Sequence, residues 1–592
     1  MRSVDVVFPV LANMRAAKQN ICLRIYIRFG ILIYSYKMAQ LLCTAPRKDR
    51  ARMYHVECID IHKDDIPFSY ADRASLCANN MYNVANFYIR NLMTGLKKEI
   101  RLRTENENFV IGTVTGSISG INDSLRDKYE RKVRKIRETE GLSEEERAGR
   151  IAKVKHLQFS APTTEKWFAS YGLLDAVFKF TENPDYRSFH THVIQNAIKA
   201  CWQAWKGYFE SLKTFSPSSG HTGKPKIPGY KKPGGRTTAV LSNIACCIKH
   251  GRLYFPYCTK ECTDGKQEKK RTRHSLCIAG LPHAEKDKLI EVRIVPYFGN
   301  YQVQIVTDDG LKEEEFLPDE RDIIAADGTP AGVMMLDPGL NNFAAIADNK
   351  GNEPIVIKGG AIKAENQWFN KRMAFLRSEQ MKGHDPKTYH PSVTKQMQRI
   401  SRKRDAFLRD TFYKYAHYIC RLMKKRGLSY LIIGYNRGQK QGIDIGRRNN
   451  QSFVQVPFAR FRRVLQTVCA RYGIRVILQE ESYTSKACFG SRDGIPTYGK
   501  GDTEGITFSG RRIGRGLYRQ DDGRVMNADI NGAVNTGRKY NESIYPEGMD
   551  CGYLYGTVKA MTHKDILSAG QRNHKSNPGE TGQRASVCPV SA

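Results

Sequence analysis

Three carboxylate positions carry the chemistry this sequence could do. Asp337 closes the apolar run in GVMMLDPGLNNFAAIADNK (Gly332–Lys350) and leads straight into a Pro-Gly turn. Glu480 and Glu481 follow the apolar stretch of VILQEESYTSK, and Asp529 lies in MNADINGAVNTGRK, where a short helix should open. An ionised group at the end of a core strand needs a partner, and a divalent metal is the partner that best explains Asp337. Two-metal phosphodiester cleavage asks for carboxylates from separate elements, meeting around ions roughly 3.5–4 Å apart. Asp337, Glu481 and Asp529 stand at suitable strand and helix ends for holding two Mg²⁺ ions. Taken alone, Asp529 reads equally as an ordinary first-turn acid complementing a helix dipole. Between the two glutamates, strand alternation sends neighbours to opposite faces. It favours Glu481, with Glu480 as the alternative.

The elements that must position these residues alternate as β-β-β-α-β-α-β-α from residue 330 onward. Apolar runs around two tight turns give the first three strands. Helical periodicity covers about 363–379 and 393–426, and Tyr430–Tyr435 reads as the fourth strand. Phe458, Phe461, Leu465, Val468 and Tyr472 share one face of a helix over Pro457–Tyr472, and Ile474–Gln479 is the fifth strand. This order is the layout of an α/β ribonuclease-H-like (RuvC) domain, a mixed five-stranded sheet with helices on both faces.

Composition bounds the partners. The 592 residues exceed one core, and 95 Lys+Arg against 60 Asp+Glu leave a net charge of +35. Such an excess favours a polyanion, because each neutralised phosphate releases counterions. The longest apolar stretch, Ile21–Tyr36, is broken by Arg24 and Arg28 and is too short for a membrane span. We therefore expect no membrane partner and a cytoplasmic, nucleoid-associated protein of prokaryotic type. Residues 1–37 read as a non-structural extension ahead of Met38. The 15 cysteines read as reduced thiols. Cys258 and Cys262 lie near His250, but no second pair accompanies them, so no zinc is expected there.

In the front half, 38–71 and 214–325 read as strands of a small antiparallel barrel, with 72–213 a helical insertion. Within it Ser143-Glu-Glu-Glu146 opens a helix. Val193, Ala197, Cys201, Ala204, Tyr208 and Leu212 share a helical face. The run Gly223–Arg236 is extended by proline and could lie along a phosphate backbone through Lys224, Lys226, Lys231 and Lys232, with Tyr230 as a stacking face. A solvated linker is the other reading of this run. Residues 546–592 lack periodicity and read as a disordered tail.

Four segments carry a family resemblance: MLDPGLNNFAAI, IIGYNRGQKQGIDIGRRNNQSFVQVPF, EESYTSKA and SGRRIGRGLYRQDDGRVMNADINGAVN. They resemble TnpB, the RNA-guided nuclease of insertion sequences, often labelled a transposase and related to compact type V CRISPR nucleases and Fanzor. The likeness is strong over about 330–540 and weaker from about 40, where KPKIPGYKK resembles the family's wedge domain. It implies a RuvC-like nuclease domain over 326–545, a wedge barrel with a helical recognition insertion, a guide RNA from the protein's own locus, a double-stranded DNA target and Mg²⁺-dependent cutting. Two departures stand out. The usual family ends its fourth strand with a catalytic glutamate, where this chain has Gly434, and a subgroup supplies that carboxylate from the fifth strand. The usual family also carries a four-cysteine zinc ribbon after T-S-K, whereas the insert 486–526 retains only Cys488, so no zinc is expected. Its cations Lys486, Arg511, Arg512, Arg515 and Arg519, with Lys440, Arg447 and Arg448 near the fourth strand, either contact nucleic acid or form solvated loops. The alternatives to a guided endonuclease are an inactive guided DNA-binding protein, repressor-like, and a DNA transposase with a ribonuclease-H-like core.

Overall fold

The computed structural model describes residues 52–215, 223–259, 271–312, 316–385, 388–436, 456–497 and 507–576. The extension 1–37 and Lys440, Arg447 and Arg448 lie outside the described residues. The chain divides into two units, one holding Arg73–Lys206 and Pro228–Val240, the other Ala51–Asp72, Gly207–Ile227 and Leu241–Ala592.

The first unit is helical. It takes in most of α1 (Phe68–Gly95), α2 (Glu105–Arg137), α3 (Glu144–Ala152), α4 (Tyr171–Phe180) and most of α5 (Thr191–Lys213). Ser143 starts α3 as its motif foretells, its hydroxyl accepting from the Glu146 N–H at 3.2 Å. On α5 the expected core face holds for Val193, Ala197 and Cys201. It then turns to Trp205, fully buried and donating its indole N–H to Asn86 Oδ1 at 2.9 Å.

The Pro/Gly/Lys run is a fastened strap over Pro228–Gly235. Asn79, Asn83 and Asn86 stand at i, i+4 and i+7 on α1 and so share a face. Asn79 Nδ2 donates to the Lys232 carbonyl at 3.0 Å, Asn86 Nδ2 to that of Pro228 at 3.3 Å, and Arg90 donates to the same Pro228 oxygen. Asn83 bonds both ways with the Lys231 backbone, at 3.0 and 2.8 Å. A proline-rich strand cannot donate a full ladder, so it is held through carbonyls that accept helix amides. This corrects one expectation. The Lys231 ammonium packs 4.1 Å from the centre of the Tyr82 ring and donates to the Thr237 hydroxyl, and burial pushes its pKa down to about 8. It is a packed lysine rather than one offered to phosphate. Lys224, Lys226, Lys232 and Tyr230 remain exposed.

The second unit begins with β1 (Arg52–Ile61), the end of β2 (Ala239–Ser242), β3 (Lys288–Tyr297) and β4 (Asn300–Lys312), hydrogen-bonded in the order β1-β4-β3-β2. Phe298 and Gly299, with φ of 46° and 78°, form the two-residue turn between β3 and β4. The remaining described strands of this region make separate three- and two-stranded sheets rather than one closed ring.

Next come β5 (Val333–Asp337), β6 (Asn342–Asp348), β7 (Ile355–Lys358), α6 (Gly360–Met381), α7 (Lys395–Lys425), β8 (Tyr430–Tyr435), α8 (Phe458–Arg471) and β9 (Arg475–Glu480). A three-stranded ribbon follows: β10 (Arg511–Gly514), β11 (Leu517–Arg519) and β12 (Val525–Asn527). After it come α9 (Ala528–Tyr540), β13 (Lys559–Met561) and α10 (His563–Ser576). The main sheet runs β9-β8-β5-β6-β7-β13. β5, β6 and β7 pair antiparallel, whereas β8 lies parallel to β5, β9 to β8, and β13 to β7. Two expectations are corrected here: the sheet has six strands, and residues 552–576 of the supposed disordered tail form a 3₁₀ turn, the sixth strand and a helix. Val333–Leu336 is apolar throughout because both faces are covered. Met334 and Leu336 pack with α7 and α8, and Val333 and Met335 pack with α9.

Candidate active site

Strand alternation puts Asp337 on the α9 face with Val333 and Met335. The last β5–β8 pair is Leu336↔Ile433, so the next residues in register are Asp337 and Gly434. The usual family's glutamate position therefore lies directly beside Asp337. On the far side of β8, Gly434 pairs with Gln479 and Tyr435 with Glu480, and Glu481 is the first residue past the strand. A Cβ built on Gly434 would stand 2.6 Å from Glu481 Oε2. The glutamate of the edge strand thus fills the space that the neighbouring glycine leaves open.

Asp529 comes from the first turn of α9. Asn527 caps the helix, accepting from the Asp529 N–H at 3.0 Å, and Asn342 Nδ2 donates to Asp529 Oδ2 at 2.7 Å. α9 approaches closely at Gly532, where a Cβ would stand 3.0 Å from Asp337 Oδ2. Asp337 feels both partners. Burial, then the Glu481 charge, then that of Asp529 drive its pKa well above the carboxylate range, and Arg512 opposes them. Glu481 is raised to about 7, first by burial and then by the Glu480 charge, against Arg462 and Lys539. Two carboxylates pushed toward their neutral forms are what an oxygen-only site looks like before a cation offsets the repulsion. All-carboxylate donors suit Mg²⁺, so these residues fit the ion. The three do not all come within 4.8 Å of one another.

Glu480 has a different role. Its Oε2 accepts from Lys539 Nζ at 2.5 Å and its Oε1 from the Ser482 N–H at 2.7 Å, and these bonds hold its pKa low despite partial burial. The two adjacent glutamates therefore take different partners.

Arg512 Nη2 stands 3.7 Å from Asp529 Oδ1 at the mouth of the trio. Arg511 and Arg519 face each other across the β10–β11 pair. They and Arg515 are exposed, as is Lys486. Three positions escaped the sequence reading. Asn342 orients Asp529, and its only sequence signal was its place in the LNNF turn. Arg462 stacks 4.6 Å over Tyr435. Lys539 had no signal beyond a basic residue in a last helical turn.

In the insert the Cys488 thiol donates to Gln520 Oε1 at 2.9 Å, and Gln520 Nε2 donates to Asn531 Oδ1 at 3.1 Å. Asp493 accepts from the Cys488 and Ser509 amides at 2.8 and 3.1 Å. Side-chain hydrogen bonds thus cross-link this segment. Elsewhere among the described residues, His55, His283 and Asp287 gather within 4.8 Å. The two imidazoles stack parallel at 3.6 Å, 5° apart. Each ring binds metal in its own plane, and parallel planes share no point, so this pair cannot hold one ion as it stands. No described helix is long and apolar enough to cross a membrane.

A meander of three antiparallel strands, three further strands paired parallel and helices on both faces make a ribonuclease-H-like (RuvC) fold in the C-terminal region. Residues 321–440 match the OrfB_IS605 family model, described as a probable transposase, and residues 458–536 match the Cas12f1-like TNB domain. Both matches lie in this order in the C-terminal half and are consistent with a TnpB-family protein. None of the curated proteins matches it. Among solved structures it is similar to a Cas12f1–sgRNA–target DNA complex, at 11% identity over 82% of this chain and 98% of that one, with a TM-score of 0.39. It is also similar to an AacC2c1–sgRNA binary complex, at 10% identity over 82% and 89%, with a TM-score of 0.31.

Proposed function

We propose that the protein is an RNA-guided DNA endonuclease of transposable-element origin, cutting with Mg²⁺ held by Asp337, Glu481 and Asp529. The observation that carries this reading is the fit of Glu481 into the space above Gly434, beside Asp337. A chain that had lost its nuclease would have no reason to keep a carboxylate in that one opening. Bound Mg²⁺ would supply charge for the developing oxyanion and activate the attacking water. The protein's own groups do the rest. Asn342 fixes the rotamer of Asp529 by its 2.7 Å bond, and the α9 backbone at Gly532 backs Asp337. Glu481, raised to about 7 in the metal-free protein, would be held ionised once it binds the cation.

Guide RNA and target DNA are partners that the +35 charge suits, and base pairing would choose the sequence. The arginines of the β10–β11 ribbon support a DNA contact next to the acids. Like charges directly opposite on paired strands are destabilising, so Arg511 facing Arg519 makes sense where a phosphate comes between them. Lys232 and Tyr230 on the strap, with Lys224 and Lys226 just ahead of it, serve as an RNA or DNA contact. The wedge and recognition roles of 38–71, 214–325 and 72–213, the RuvC bounds 326–545 and a zinc-free insert belong to the same reading.

The test is plasmid cleavage with Mg²⁺ by protein co-purified with RNA from its locus. Asp337→Ala and Glu481→Ala should each abolish cutting while RNA binding persists. Wild-type protein that binds RNA and DNA tightly yet never cuts would establish the repressor-like alternative instead.

A further inference from the structure

The relocated carboxylate creates a mechanical problem. Among the described residues β9 is an edge strand, bonded to β8 on one side, and Glu481 lies one residue beyond its end. The ladder pairing stops at Glu480, and the Glu481 carbonyl accepts from the Thr484 N–H and hydroxyl at 3.3 and 2.9 Å in the turn that follows. We infer that Lys539 is the positioning residue that fastens the end of β9, so that Glu481 faces Asp337 while Glu480 is turned away. The inference rests on the reading of Asp337, Glu481 and Asp529 as the metal-holding trio.

The geometry is a three-point clamp. Lys539 stands in the last turn of α9, and its side chain is only 5% exposed. Its ammonium has three protons to donate. They go to Glu480 Oε2 at 2.5 Å, to the Ser482 carbonyl at 2.9 Å and to the Pro496 carbonyl at 2.7 Å. Two of these acceptors belong to the residues on either side of Glu481. The second Glu480 oxygen is engaged as well, accepting from the Ser482 amide and hydroxyl. Glu480 is therefore saturated by the clamp and would have to break it to reach a metal.

α9 makes the clamp a ruler. The same helix carries Asp529 in its first turn and sets Gly532 against Asp337. A lysine on its last turn that grips residues 480 and 482 ties the third carboxylate to the element that positions the other two. A buried ammonium is strongly disfavoured unless paired and hydrogen-bonded, so the arrangement has one preferred geometry. With the family's carboxylate on β8, a strand bonded on both sides, no such clamp would be needed.

The test uses the full chain and two readouts. One is Mn²⁺ binding to RNA-free protein, followed by the electron paramagnetic resonance of free Mn²⁺. The other is the Mg²⁺ dependence of single-turnover cutting by the guided complex. Lys539→Met should weaken Mn²⁺ binding about 10–100-fold, the range for lost outer-shell support, and raise the Mg²⁺ requirement in parallel. Glu480→Gln keeps one acceptor for Lys539 but loses its charge partner, so it should weaken both readouts, though less than Lys539→Met. The double change Lys539→Met/Glu480→Met removes both charges in matched shape. It should fold and still bind Mn²⁺ weakly, so it decides the case if the single lysine variant does not fold. Wild-type Mn²⁺ affinity in the double variant would overturn the inference. So would a larger loss of Mn²⁺ binding in Glu480→Gln than in Lys539→Met, because Glu480 would then itself be a ligand. Asp337→Ala keeps the two failures apart: if it still binds Mn²⁺ and cuts, the metal site itself is wrong, whatever Lys539 does.

Discussion

Replacing Gly434 with alanine is the sharpest probe of the relocated carboxylate. The added Cβ would lie 2.6 Å from Glu481 Oε2, whereas ordinary contact begins at 3.4 Å. The carboxylate must therefore withdraw by about 3.4 − 2.6 = 0.8 Å. The other neighbours, Glu481 Cβ and Pro338 Cδ at 3.6 Å, are already at contact distance, and the Gly434 φ is not left-handed. Folding should hardly suffer, since the displaced atom ends a flexible side chain and alanine is better than glycine inside a strand by roughly 0.5–1 kcal/mol. Catalysis should suffer, because a misplacement near 1 Å costs on the order of 10²-fold. We expect single-turnover plasmid cutting at saturating Mg²⁺ to fall about 10–100-fold, or about 1.4–2.7 kcal/mol of barrier, with an unchanged melting temperature. Gly360→Ala, whose Cβ meets open space on α6, is the matched control. Gly434→Ala cutting at the wild-type rate would refute the reasoning, since Glu481 would not be where the chemistry occurs.

Four further outcomes follow from the same geometry. Moving the carboxylate back, as Gly434→Glu with Glu481→Ala, should cut measurably faster than Glu481→Ala alone, and equal rates would deny that the two positions serve one site. Arg511→Gln with Arg519→Gln should weaken DNA binding and reduce the slope of log K against log salt by about 2, while raising stability by relieving the cross-strand repulsion. An unchanged slope would remove the ribbon from the interface. Burial lowers the Lys231 pKa from 10.5 to about 8. The unfolded chain then holds this proton up to about pH 10.5 while the folded chain releases it near 8. Stability should accordingly rise between about pH 8 and 10.5, and below 8 the whole penalty is present, about 3 kcal/mol. Urea titrations at pH 7 and 10 should show this trend in wild type and its loss in Lys231→Met; parallel curves would mean that Lys231 is not buried as described. Trp205→Phe strands the buried Asn86 side chain, and should cost about 1–3 kcal/mol in the same titration.

The C-terminal half was readable because its strands announce themselves through burial on two faces. Val333–Leu336 is apolar at every position, and the turn after Asp337 leaves no other place for that acid. Tyr430–Tyr435 emerged with the bounds the periodicity implied. β13 was not readable, since three residues with no pattern become a strand only by pairing with Ile355–Ile357. The strap misled for a related reason. Proline, glycine and lysine in sequence describe a linker equally well, and what fastens this run is an asparagine ladder some 150 positions earlier on α1. The separation of Glu480 from Glu481 likewise depends on Lys539, 59 positions downstream of Glu480. Alternation could hint at two directions for the pair but could not name what each would meet.

β13 has a consequence for how the protein behaves outside its own fold. Ile355–Ile357 is a fully buried apolar run, and without β13 one whole edge of it would offer open amides and carbonyls. Such an edge is a template for another chain. A protein cut short after residue 545 would keep all three acids and most of the sheet, yet expose a flat, hydrophobic strand border. Its failure would be self-association, with copies pairing edge to edge in the place β13 occupies.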